Sequence, residues 1–225
     1  MTSLTSAVMW SQKLLQEKLQ PGDFVIDGTA GNGHDSLFLA QRVMPGGCIW
    51  SFDIQEQAIY KTAERLQKSG YHSKTYTFEE KEMESLLNQG SAFSLDREGI
   101  FLFRTDHGQL GKLLERGTET LPPLKAAIFN LGYLPGGERT VTTQATSTIA
   151  ALDGSAKGLA PEGRLIVVVY VGHDGAEEEA KAVDHWWAQL PPEQWDTLSI
   201  TFPNRRGHPP YVLLAEKKKV KGRCE

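Results

Sequence analysis

Cysteine is nearly absent from this chain. Cys48 and Cys224 are its only 2, too few for a disulfide framework or a cysteine-based zinc site. No apolar run approaches the ~20 residues that span a bilayer. No basic segment followed by an apolar stretch opens the sequence, so no signal peptide is expected and a cytoplasmic protein is the default. His, Asp and Glu show no metal-ligand spacing, and no metal is expected. A basic excess is missing too. The formal net charge of −4 excludes an indiscriminate nucleic-acid coat. It leaves room for a nucleic-acid enzyme with a local basic surface. Apolar residues make up 40% of the 225, enough to build a core and exclude wholesale disorder. Residues 1–225 are read as a single α/β domain.

The apolar pattern alternates between two periods. Leu4, Val8, Leu14, Leu15 and Leu19 recur near helical spacing and predict an amphipathic helix over 4–19, stopped by Pro21 and Gly22. A buried strand over 24–26 runs into Asp27. A glycine-rich loop, a helix over 35–43, a strand over 48–52 ending at Asp53, and a helix over 55–68 follow. Strand–helix–strand–helix is the signature of a parallel sheet. Residues 74–99 are polar and are read as an insertion at the sheet edge. Further strands are expected at 100–103, 124–129, 165–171, 197–201 and 211–215, with helices over 107–116, 143–159 and 176–190. Val167, Val168 and Val169 in a row suit a strand buried on both faces. The acidic run Glu177, Glu178, Glu179 reads most simply as a solvated helix face. The basic tail with Lys217, Lys218, Lys219, Lys221 and Arg223 is also read as solvated.

The loop between the first strand and its helix carries the chemistry. It reads Asp27, Gly28, Thr29, Ala30, Gly31, Asn32, Gly33, His34, Asp35. Gly31 and Gly33 permit backbone angles closed to other residues and let a ligand approach the main chain. The helix start offers unpaired N–H groups. Asp53, 20 residues beyond Gly33 at the end of the second strand, suits both hydroxyls of a ribose. There is no nucleoside-triphosphate P-loop and no G-x-G-x-x-G fingerprint. Asp27 and Asp35 add negative charge where a pyrophosphate would want none. A ligand with a cationic centre and an amino-acid moiety, such as S-adenosylmethionine (SAM), fits better. Thr29, Asn32, His34 and Gln55 join the expected cofactor contacts. Asp106 and His107 join them after the third strand.

These residues, with Phe52, Asp53, Ile54 and Gln55 and the block Asn130, Leu131, Gly132, Tyr133, Leu134, Pro135, Gly136, Gly137, resemble the "putative rRNA methylase" (YtqB/MnmM-like) group of class I SAM methyltransferases. The resemblance extends through Thr142, Thr143, Tyr170, Gly172, His173, His208, Pro209 and Pro210, about residues 5–216. It implies a Rossmann-like, seven-stranded, mostly parallel sheet of order 3-2-1-4-5-7-6 with helices on both faces. It implies a tRNA methyltransferase acting on the 5-aminomethyl group of wobble (2-thio)uridine, with the tRNA anticodon region as partner. The long segment 74–99 departs from the group's pattern.

Ligands of an open parallel sheet bind where strand order reverses, between the first strand and the one ending at Asn130. A primary amine attacking a sulfonium methyl needs its two N–H bonds held so that its lone pair faces the methyl. The Asn130 side-chain oxygen and the Leu131 carbonyl are the expected acceptors, with Tyr133 stacking on the base. The attacking amine must be neutral. Either apolar surroundings favour that form or a base removes the proton, with His173, Asp106, His107 and His208 as candidates. Arg139, Arg205, Arg206 and His208 are the expected RNA contacts. Methylation of rRNA or of a small-molecule amine, a nucleotide-binding oxidoreductase, and a non-catalytic SAM- or RNA-binding protein all remain open here, as does a monomer or a homodimer.

Overall fold

The computed structural model describes residues 6–78, 96–117, 121–132, 143–171 and 176–219. The chain opens with helix α1 (Ala7–Gln16), strand β1 (Phe24–Asp27), helix α2 (His34–Val43), strand β2 (Cys48–Asp53) and helix α3 (Glu56–Lys68). Strands β3 (Ser73–Thr77) and β4 (Gly99–Arg104) follow, then a 3-10 turn (His107–Gln109) and helix α4 (Leu110–Gly117). Strand β5 (Leu124–Leu131), helix α5 (Ala145–Gly158), strand β6 (Leu159–Val169), helix α6 (Ala176–Ala188) and strands β7 (Trp195–Ile200) and β8 (Tyr211–Lys217) complete it.

The 8 strands of the described residues form one sheet of order β3-β4-β2-β1-β5-β6-β8-β7. Only β8 runs antiparallel to its neighbours, β6 and β7. Without β3 this is the expected 3-2-1-4-5-7-6 order with an antiparallel last strand. The correction is to the strand number. Residues 73–77 add an eighth, parallel to β4, where a polar excursion was expected. Its residues are half-buried or exposed, and Tyr76 packs on Phe101 and Phe103. A solvated edge strand carries too little apolar alternation to announce itself.

Alternation along each strand separates two cores. Phe24, Ile26, Trp50, Phe52, Phe101, Phe103 and Phe129 pack toward α4, α5 and α6. Val25, Ile49, Ile100, Leu102, Ile128 and Val168 pack toward α1, α2 and α3. On the first face α4 and α5 meet through glycine. A Cβ on Gly154 would sit 2.5 Å from Gly111 Cα. On the second face α1 is tied to the sheet by Arg164, which donates to the Leu14 carbonyl and pairs with Glu216 at 2.7 Å. Strand β6 begins at Leu159, six residues before the expected start, because Leu159 pairs with Leu124 ahead of the bend at Glu162 (φ 65°).

The basic tail is partly structural. Lys217 lies in β8, and its Nζ donates to the carbonyls of Ala156, Lys157 and Leu159 at 3.0, 3.3 and 2.8 Å. It therefore caps the carboxyl end of α5. Lys218 and Lys219 pair with Asp196 and Glu162, each at 3.0 Å. Lys221 and Arg223 lie outside the described residues. Among the described residues no helix is long and apolar enough to cross a membrane.

Candidate active site

The carboxyl ends of β1, β2, β4, β5 and β6 surround a cavity of about 580 Å³, a volume suited to a small-molecule ligand. Its floor is the loop after β1. Gly31 has φ 54°, and the loop is pinned from α3, where Arg65 Nε donates to the Asn32 carbonyl at 2.6 Å and Thr62 Oγ1 to that of Gly31 at 3.3 Å. Gly33 serves packing. It has φ 77°, and a Cβ there would lie 2.7 Å from Thr62 Cα. Neither Gly33 nor Asp27 lines the cavity, whereas Thr29, Gly31, Asn32, His34, Asp35, Asp53 and Gln55 do.

Three carboxyl groups stand around this loop. Asp27 is fully buried behind it, accepting from Ser36 Oγ at 2.6 Å and Thr29 N–H at 3.1 Å. Burial first, and then the charges of Asp35 and Asp53, push its carboxyl up to about 7. Asp35, at the start of α2, accepts from Gln12 Nε2 at 2.7 Å and Asn130 Nδ2 at 2.5 Å. Burial raises it above the usual carboxylate range against those two hydrogen bonds. Asp53 accepts the backbone N–H groups of Gly31 and Gln55, both at 2.9 Å, and is also raised by burial. Each carboxylate oxygen has a second lone pair, so Asp53 can still accept ligand hydroxyls.

Asn130 lies at the switch point. Its N–H donates to Thr29 Oγ1 at 2.7 Å, fixing β5 against the loop. Its side-chain Nδ2 faces Asp35, and its Oδ1 is buried with no hydrogen-bond partner. An ionised carboxylate only accepts, so it orients the amide with nitrogen inward and leaves Oδ1 as the unused acceptor. A buried acceptor without a donor is costly. The Leu131 carbonyl, the other expected acceptor, already takes the Tyr170 N–H at 3.3 Å. The sheet ladder between β5 and β6 continues one residue past the strand and uses one of its two lone pairs, leaving the other for a ligand N–H.

His107 is buried. Its Nδ1 lies 3.1 Å from the Gly28 carbonyl and its Nε2 3.4 Å from Thr148 Oγ1, and burial lowers its basicity. Asp106 lines the cavity, while its Oδ1 caps the 3-10 turn by accepting the Gly108 N–H at 2.7 Å. Arg205, Arg206 and His208 lie in the connection from β7 to β8, away from the cavity wall. Arg205 covers the Phe202 ring at 4.1 Å. Tyr133, Arg139 and His173 lie outside the described residues. Glu179 departs from the expected solvated face. It is 4% exposed, because two threonine hydroxyls meet it inside the fold.

Two cavity residues had no assigned role in the sequence. Gln12 arrives from α1 with no local signal. Tyr170 follows the carboxyl end of β6, and the strand-end rule pointed there. Burial and the Asp35 charge raise its hydroxyl. Among the described residues no cluster of His, Cys, Asp or Glu could hold a metal ion.

A doubly wound sheet of this order, with a glycine-rich first loop and an acid ending β2, is the architecture of Rossmann-like class I methyltransferases. A family model described as "Putative rRNA methylase" matches residues 49–216. The chain is 31% identical over 215 residues to the chloroplastic tRNA (mnm(5)s(2)U34)-methyltransferase of Arabidopsis thaliana, covering 93% of this chain and 67% of that protein. A "putative rRNA-methylase" structure from Clostridium thermocellum matches with TM-score 0.77 and 26% identity over 96% of this chain and all of its own. A Streptococcus mutans "putative methyltransferase" in complex with SAH matches with TM-score 0.73 and 26% identity, covering 96% and 99%. The chain belongs to the "Putative rRNA methylase" family and is a SAM-dependent methyltransferase.

The residues present fit the donor. Asp35 and Asp53 line the cavity, and their ionised forms, which burial disfavours, gain from a cationic ligand and would repel a pyrophosphate.

Proposed function

We propose that this chain methylates the 5-aminomethyl group of wobble (2-thio)uridine in tRNA. The observation that carries the reading is Asn130 Oδ1, a buried acceptor with no donor, on a residue lining the cavity. An amine N–H satisfies it; an attacking carbon would not. The A. thaliana relative, named for that nucleoside, supports the choice of amine.

A sulfonium held in the cavity supplies an electrophilic methyl group. Asp53 accepts the ribose hydroxyls, and Thr29, Gly31 and Asn32 shape the loop against the ligand. Asn130 Oδ1 holds one amine N–H and aims the lone pair, while Asp35, braced by Gln12, keeps the amide from turning over. The dehydrated surroundings favour the neutral amine. Tyr133 as the base platform, His173 near the amine, and Arg139, Arg205, Arg206 and His208 on the phosphates complete the reading. A cytoplasmic location is part of the same reading.

The test is methyl transfer to tRNA carrying the aminomethyl group, read by nucleoside mass spectrometry. Asn130→Ala should cut turnover by about 100-fold or more while sinefungin affinity stays within about threefold. Wild-type turnover from that variant removes Asn130 from the reaction. No methylaminomethyl product from the unmodified protein removes the substrate.

A further inference from the structure

Helix α6 opens with three glutamates, and only Glu179 is buried. A buried carboxylate is costly unless it is hydrogen-bonded. Both of its oxygens are used. Thr143 Oγ1 donates to Oε2 and Thr148 Oγ1 to Oε1, each at 2.6 Å. A threonine hydroxyl has one hydrogen. Giving it to Glu179 turns the Thr143 lone pairs toward the Gly132 N–H, which donates to Oγ1 at 3.2 Å. The Thr143 N–H returns a bond to the Gly132 carbonyl at 3.3 Å. The two residues flanking 133–142 therefore clasp each other, two residues beyond Asn130, with Glu179 locking the clasp. On the other side the Thr148 hydrogen is likewise given to Glu179, and His107 gives its own to the Gly28 carbonyl at 3.1 Å, so Thr148 Oγ1 and His107 Nε2, 3.4 Å apart, are in contact only and the chain of hydrogen bonds ends at Thr148 on α5. Glu179 stays out of the cavity wall, yet Thr143, Gly132, His107 and Gly28 all line it.

We propose that Glu179 is a positioning residue: it locks the Gly132–Thr143 clasp beside Asn130 and anchors it to Thr148 of α5, holding the end of β5 in register with the cavity. This deepens the reading above and rests on it for the reaction, though not for the clasp itself.

Three variants test it: Glu179→Gln, which keeps the size and removes one acceptor, Thr143→Val, which removes the hydroxyl, and Thr143→Ser, which keeps it. The first two should lower kcat on aminomethyl-tRNA by about tenfold or more while sinefungin Kd changes by less than about twofold. Amide exchange at Gly132 and Thr143, resolved by NMR, should quicken about tenfold in both. Thr143→Ser should keep the slow exchange at both amides and lose clearly less kcat than Thr143→Val. The exchange measurement needs no substrate. Protected amides in a protein inactive on this tRNA therefore defeat the substrate reading and leave the clasp standing. Unchanged exchange or unchanged kcat in Glu179→Gln overturns the proposal, as does Thr143→Ser behaving like Thr143→Val. If Glu179→Gln does not fold, Thr143→Val decides on the same criteria.

Discussion

Acidification should weaken binding of a cationic cofactor analogue, and Asp27 sets the size of the effect. Its carboxyl is pushed up to about 7 by burial and by Asp35 and Asp53. A cation placed in the cavity favours the ionised form. If only that form binds, the apparent Kd scales as one plus the ratio of protonated to ionised Asp27. That factor is about 11 at pH 6 and 2 at pH 7, a roughly fivefold weakening worth about 1 kcal/mol. Binding at pH 7 should release about half a proton. The ligand's own ammonium, with an ordinary value near 7.7–8.0, stays charged over this range and does not reverse the trend. Titration calorimetry of sinefungin at pH 6 and pH 7, in buffers of differing ionisation enthalpy, measures both quantities. SAH, with a neutral sulfur, should show the smaller dependence. A Kd that is flat or tightens on acidification refutes the reasoning, as does zero proton release. The same shift acts on folding. The native carboxyl titrates near 7 against 3.8 in the unfolded chain, so the native state binds the proton more tightly. The stability this confers is fully present below about pH 3.8 and is lost as pH rises through about 7, on the order of 4 kcal/mol for the free protein. Thermal melts without ligand should fall from pH 5.5 to pH 8, and bound sinefungin should narrow the difference.

Two further substitutions test the frame around the site. Gly154→Ala drives a Cβ to 2.5 Å from Gly111 Cα. Backbone cannot swing aside as a side-chain tip can, so the variant should lose about 1–3 kcal/mol in a denaturant melt; unchanged stability would mean that α4 and α5 separate freely. Lys217→Met leaves three carbonyls at the end of α5 without their donor. It should cost about 1 kcal/mol and leave tRNA affinity within about twofold. A large loss of tRNA affinity with unchanged stability would return Lys217 to an RNA-binding tail.

The legible parts were those set by short-range pattern. Valine runs and helical spacings marked the central strands and their helices because burial on one or two faces imposes a period on neighbouring residues. The cavity floor was legible for the same reason: glycines after a strand and an acid ending the next lie where topology sends ligands. The edge strand β3, polar along most of its length, had no such period. The acidic start of α6 misled because Glu177, Glu178 and Glu179 are alike as letters, and only helix packing turns the third inward.

The sequence alone determined the doubly wound α/β frame, its glycine-rich loop, and the placement of Asp27, Asp53 and Asn130 at strand ends. Each follows from chain-local chemistry: which residues alternate, which can turn, and which end a strand. Only tertiary structure decided what those groups are. Asp35 meets Gln12 from 23 residues away and Asn130 from 95. Those contacts turn an ordinary amide into a residue with one buried, unused acceptor. Desolvation raises Asp27, and desolvation belongs to every element packed around a group. The fold therefore assigns protonation and hydrogen-bonding capacity that no local stretch of residues contains.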